Sequence, residues 1–114
     1  DNKVDFIIPI THQSIQRDRE LARHMLQTDL HGIYRDPGGG LIIGGHYHSE
    51  ENNSTLLEEV YDDNDKNRKI QIIKTGNHAK QAAWIDLEFD VDAQSKPTLM
   101  NVTTQFIELV SDYK

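Results

Sequence analysis

The stretch Leu41-Ile42-Ile43-Gly44-Gly45-His46-Tyr47-His48 sets the organisation of the chain. Its three leading apolar residues have the character of a short buried strand. Two adjacent glycines permit backbone angles closed to other residues and allow close approach to a ligand. They predict a tight turn after the strand. Histidines two positions apart in such a turn can face neighbouring points, and neutral imidazole is the commonest protein metal ligand. The acidic and polar run Ser49-Glu50-Glu51-Asn52-Asn53 follows directly. The expectation is that this loop forms one wall of a metal site. His46 and His48 would be its ligands, and Gly44 and Gly45 would give the loop its room.

Upstream, Phe6 to Ile10 is nearly continuous in apolar and β-branched residues, the pattern of a strand buried on both faces. Pro9 has no N–H to donate and sits late in that run, which suits a strand near its end or beside a sheet edge. Thr11-His12-Gln13 comes next. A histidine at the carboxyl end of a strand lies where open α/β sheets place their ligands, so His12 is a third candidate ligand. Ser14 is a good N-cap, and Ile15 to Gln27 contains neither Gly nor Pro. Ile15, Leu21, Ala22, Met25 and Leu26 make an apolar stripe, while Arg17, Asp18, Glu20, Arg23 and Gln27 are expected largely on the other side. This predicts a surface helix packed on a sheet, with His24 at its boundary rather than in a site. Asp36-Pro37-Gly38-Gly39-Gly40 is a strong turn signal. Strand, helix and strand thus form a βαβ pattern.

Downstream, Asn52 to Lys69 is polar and rich in charge. Within it Asp62-Asp63-Asn64-Asp65 resembles the start of a calcium loop, but Arg68 stands where the pattern needs glycine, so the motif is expected to be a solvated loop. Ile70 to Thr75 predicts a strand ended by Gly76-Asn77. Gln81 to Phe89 predicts another, with Trp84, Asp86, Glu88 and Asp90 opposing Ile85, Leu87, Phe89 and Val91 at a period of two. Asp92 to Pro97 is a turn, and Thr103 to Val110 a last strand. The fold class is α/β, a βαβ start followed by mainly antiparallel strands. With no internal repeat or clear linker, residues 1–114 are expected to form one structural unit.

The bulk properties narrow the function. The 114 residues suffice for one domain, and the 36% hydrophobic content predicts a modest core or part of a larger one. A net charge of −7 argues against binding to nucleic-acid polymers or anionic membranes, which calls for a basic face. No apolar run has the roughly 18 residues of a membrane span. The absence of cysteine excludes disulfides and thiolate metal sites. Asp1-Asn2-Lys3 is not a signal-peptide start, and without an initiator Met the N-terminus is expected to be cut or processed.

Several histidine patterns compete. His-Glu-x-x-His, the helical zinc-protease pattern, is absent. In a metallo-β-lactamase-like pattern, Glu50 and Glu51 would stand where the third and fourth ligands belong. A cupin-like start fits at Gly40, His46 and His48, but the next acid would fall on Asn52 or Asn53. The combination of Phe6 to Thr11 ending in Thr11-His12-Gln13, then Asp18-Arg19-Glu20-Leu21-Ala22, then Leu41 to His48, then Ile73-Lys74-Thr75-Gly76-Asn77-His78-Ala79 running into Trp84-Ile85-Asp86-Leu87-Glu88 resembles the calcineurin-like metallophosphoesterases, in their 5′-nucleotidase-like branch. The resemblance extends from Val4 to about Lys114.

That resemblance implies hydrolysis of phosphomonoesters, nucleotides among them, at two divalent ions such as zinc, manganese or iron. It implies that His12 and His46 bind one ion and His48 the other. It also implies a fold of two sheets packed between helices, of which this chain would be the C-terminal half of a four-layer α-β-β-α sandwich. The family's Asp-x-His, bridging Asp and Asn-His would lie in an earlier half. Gly76-Asn77-His78 mimics the last of these in the wrong place. The isolated chain is therefore expected to be catalytically silent and to bind metal at most weakly, at a single site. An uncovered apolar face is expected to invite self-association or the other half. The alternative from another class is a non-catalytic metal-binding or interaction module; a degenerate metal-binding β-barrel is a third expectation.

Overall fold

The computed structural model of the chain describes residues 4–29, 32, 34–45, 55–76 and 81–109. The described residues form a mixed α/β structure of one helix and two sheets. Strand β1 (Ile10–His12) is followed by helix α1 (Ile15–Gln27) and strand β2 (Gly40–Gly45). β1 and β2 are parallel, with Ile10 opposite Ile43, Thr11 opposite Gly44 and His12 opposite Gly45. The βαβ expectation is therefore met. Strand β3 (Leu56–Tyr61) and strand β4 (Lys69–Lys74) complete the first sheet, in the order β1-β2-β4-β3. β4 is parallel to β2 and antiparallel to β3.

The helix forms where its caps and stripe demand. Ser14 Oγ accepts a hydrogen bond from the Arg17 N–H at 3.3 Å, satisfying one of the unpaired donors of the first turn. At the other end the Thr28 hydroxyl and N–H both donate to the His24 carbonyl, at 2.7 and 2.9 Å. Ala22, Met25 and Leu26 are buried against Tyr34, Ile42, Val60, Ile70 and Ile72, with Ile15 and Leu21 packed at the margin. Each of the larger aliphatic side chains among these contributes about 1.5–3 kcal/mol on burial. Along β4, Ile70, Ile72 and Lys74 alternate with Gln71 and Ile73, so the first three share the helix-facing side. All five are buried.

The second sheet is a hairpin of β5 (Gln81–Val91) and β6 (Pro97–Glu108). Its turn is closed by the Ser95 N–H donating to the Asp92 carbonyl, and Asp92 Oδ1 accepts from the N–H groups of Gln94 and Lys96. Leu99 anchors the hairpin to the turn that leads into β2. Its side chain is fully buried, its N–H donates to Asp36 Oδ2 at 2.9 Å, and its carbonyl accepts from the Gly38 N–H at 2.9 Å. Phe89 meets Phe6 edge to face, with 6.1 Å between ring centres.

Four expectations need correction. The first strand is Ile10–His12, not Phe6 to Thr11, and it is not buried on both faces: Ile10 is 81% exposed, and Ile7 and Ile8 are also exposed. β1 is the edge of the sheet, and Pro9 continues the pairing only through its carbonyl, which accepts from Ile43 at 3.0 Å. Second, the polar stretch Asn52 to Lys69, in which no strand was expected, contains β3. That strand hides its pattern because Glu58 pairs with Arg19 and Glu59 with Lys69. Third, the last strand begins at Pro97 rather than Thr103. Fourth, the buried alternation expected along β5 does not reach its end: Phe89 and Val91 are exposed, beyond a register shift whose extra residue, Met100, lies on β6. Among the described residues no helix is long and apolar enough to cross a membrane.

Candidate metal-binding strand ends

The carboxyl ends of the three parallel strands lie side by side. Thr11 pairs with Gly44, and Gly44 pairs with Lys74, so one row of residues crosses β1, β2 and β4. The segments after His12 and after Gly45 therefore leave from the same edge of the sheet, where open α/β sheets bind ligands.

A fully buried ion pair closes this row. Lys74 Nζ lies 2.7 Å from Asp18 Oδ2, and both side chains have no exposed surface. The ammonium also donates to the Gln13 carbonyl at 2.7 Å and to the Gly45 carbonyl at 2.8 Å. The ammonium therefore has two hydrogen-bond acceptors and one ion-pair partner. Asp18 Oδ1 accepts from Gln13 Nε2 at 2.8 Å. Burying two charges is expensive unless they pair; here they pair, and Asp18 Oδ2 makes no hydrogen bond beyond that ionic contact among the described residues.

Asp18 was expected on the polar side of the helix; it is instead at the heart of the buried stripe. The spacing carries the reason, since residue 18 lies three after Ile15 and four before Ala22. Lys74 likewise shares the strand parity of Ile70 and Ile72. An acid in phase with a buried stripe and a lysine in phase with a buried strand face signal a pair, although neither signals it alone.

The two glycines behave differently from the expected tight turn. Both remain in β2, and neither belongs to the glycines with positive φ, which are Gly32, Gly39 and Gly76 among the described residues. Their requirement is space. A Cβ on Gly44 would lie 2.7 Å from Asp18 Oδ2 and 3.0 Å from Lys74 Cε. A Cβ on Gly45 would lie 3.1 Å from His12 Nδ1. Gly44 makes room for the ion pair, and Gly45 makes room for the imidazole.

Of the expected ligands, His12 ends β1 with an exposed side chain beside Gly45. His46 and His48 lie outside the described residues, as do Tyr47, His31 and His78. His24 sits exposed in the last turn of α1, apart from the row, as expected for a boundary residue. The Thr11 hydroxyl is buried with no hydrogen-bond partner among the described residues, on the strand face opposite to His12. An exposed imidazole beside a glycine at a strand end fits the near side of a metal site. Among the described residues no group of three or more His, Asp or Glu side chains is placed to hold an ion. Asp18 is already committed to Lys74.

A separate concavity near the β3–β4 turn is lined by Leu26, Gln27, Arg35, Asp62 and Arg68. Arg68 is engaged there by Asp62 at 2.7 Å, Asp29 at 3.2 Å and the Leu26 carbonyl at 3.1 Å, so it braces the turn. No family model, no curated protein and no solved structure matches the chain.

Proposed function

We propose that this chain supplies one side of a two-metal phosphoesterase site of the calcineurin-like, 5′-nucleotidase-like kind, acting on phosphomonoesters with nucleotides among them. His12 and His46 would hold one ion and His48 the other. When bound, such ions activate a water and stabilise charge on the phosphoryl oxygens. The observation that carries this reading is the Thr11–Gly44–Lys74 row, which brings the Thr-His and Gly-Gly segments to one edge of a parallel sheet. The helix, the four-stranded sheet and the hairpin would then be half of an α-β-β-α sandwich. Ligand carboxylates must come from elsewhere, because Asp18 is neutralised by Lys74 and a metal pair needs acids to offset its charge. The chain alone therefore binds metal weakly and turns over no ester.

A non-catalytic interaction module is the second reading. The exposed Ile7, Ile8 and Ile10 beside an edge strand favour it, since such an edge invites a further strand or a partner. Calorimetric titration of the full chain with zinc and with manganese, alongside a generic phosphomonoester assay, separates the two. Weak binding lost in His46→Ala supports the metal site. Absence of binding supports the module, and metal-dependent turnover by the chain alone would overturn the half-site proposal.

A further inference from the structure

Lys74 places a charge where the sheet packs on its helix, and the two bonds it makes besides Asp18 are to main-chain carbonyls of different segments. Gln13 follows β1 and Gly45 closes β2. One ammonium thus joins the ends of β1, β2 and β4, and Asp18 adds α1 through Lys74 and Gln13. β1 needs such a tie, since it is a three-residue edge strand held by three residue pairs to β2. Stability alone is a poor account of the pair. Two apolar residues of similar volume often replace a buried ion pair without loss. What they cannot do is hydrogen-bond the two carbonyls.

We propose that Asp18 and Lys74 are positioning residues: a clasp that fixes the end of β1, with its His12 imidazole, against the end of β2. Gly44 belongs to the clasp, because any side chain there would displace the carboxylate. The clasp rests on the metal-site reading for its purpose, though not for its mechanical content. It predicts that the relation between the two strand ends is set separately from the fold as a whole.

The test uses the full chain and the double variant Asp18→Leu/Lys74→Met, read by amide hydrogen exchange and by zinc calorimetry. The double variant should melt cooperatively with native circular dichroism. Its amides from Ile10 to His12 and from Ile43 to Gly45 should exchange at least about tenfold faster relative to those of α1. Zinc affinity should fall by about tenfold or more, as when groups that orient a ligand are lost. A folded double variant with unchanged exchange at those amides would overturn the clasp. Should it fail to fold, the wild type decides: these amides should be protected as well as those of β4, and exchange typical of a frayed edge strand would overturn the proposal. If wild-type zinc binding is absent or indifferent to His12→Ala, the metal-site reading fails, and exchange still decides the clasp.

Discussion

Gly44→Ala is the smallest change that probes the row of strand ends. The added methyl would stand 2.7 Å from Asp18 Oδ2, about 0.7 Å inside the 3.4 Å at which ordinary contact begins. Its other neighbours are Lys74 Cε at 3.0 Å and Nζ at 3.1 Å. No backbone strain enters, because Gly44 does not have positive φ. The neighbours cannot swing aside, since both are wholly buried and hold each other. Either β2 moves off the helix, at the roughly 1–3 kcal/mol typical of overpacking, or the pair opens, at up to about 3–5 kcal/mol. A loss near 3 kcal/mol is a large part of the roughly 5–15 kcal/mol that holds a domain together. Gly45→Ala is the control: its methyl meets the His12 ring at 3.1 Å, and that exposed side chain can turn away. The control should stay within about 1 kcal/mol of wild type. Urea melts of both variants, and of Gly44→Ala in an Asp18→Ala background, measure the difference. The second substitution should relieve part of the cost of the first, a coupling that a double-mutant cycle isolates. Equal losses at the two glycines, or no coupling to Asp18, would refute the reasoning.

Other outcomes follow from the same contacts. Leu99→Ala should lose about 2–5 kcal/mol and loosen the hairpin from the Asp36–Gly38 turn, seen as a lower urea midpoint with faster exchange in β6. Arg19 grips Glu58 with two hydrogen bonds, at 2.5 and 2.7 Å, and holds that carboxyl below its ordinary value of 4.5. The folded state then binds fewer protons than the unfolded one as acid is added. The stabilisation is whole above about pH 4.5 and is lost as pH falls through the depressed value. Arg19→Met should remove that acid dependence while costing about 1 kcal/mol or less at neutral pH, because the pair is partly exposed.

Much of the fold was legible because its signals are local. Ser14 marks the start of α1 and its periodicity marks its length, and both match the structure. β4 and the first half of β5 read correctly because one is dense in β-branched isoleucines and the other alternates. β3 was hidden because an edge strand can carry Glu58 and Glu59 when partners on α1 and β4 meet them. The apolar run before Thr11 misled because burial is set by neighbours, and an edge offers fewer. At the candidate site the sequence pointed to His12 and to the glycines, but it gave the wrong reason for Gly44. The reason is a carboxylate 26 positions earlier and an ammonium 30 positions later. That pairing exists only once helix and sheet are assembled.

The most direct test of the central claim is a titration of histidine-labelled full chain with zinc, following each imidazole by nitrogen–proton correlation spectroscopy. The account predicts that His12, His46 and His48 respond, while His24, His31 and His78 keep their free-state signals. A response spread evenly over all six histidines, or one that leaves His12 untouched while His46 and His48 bind, would contradict it.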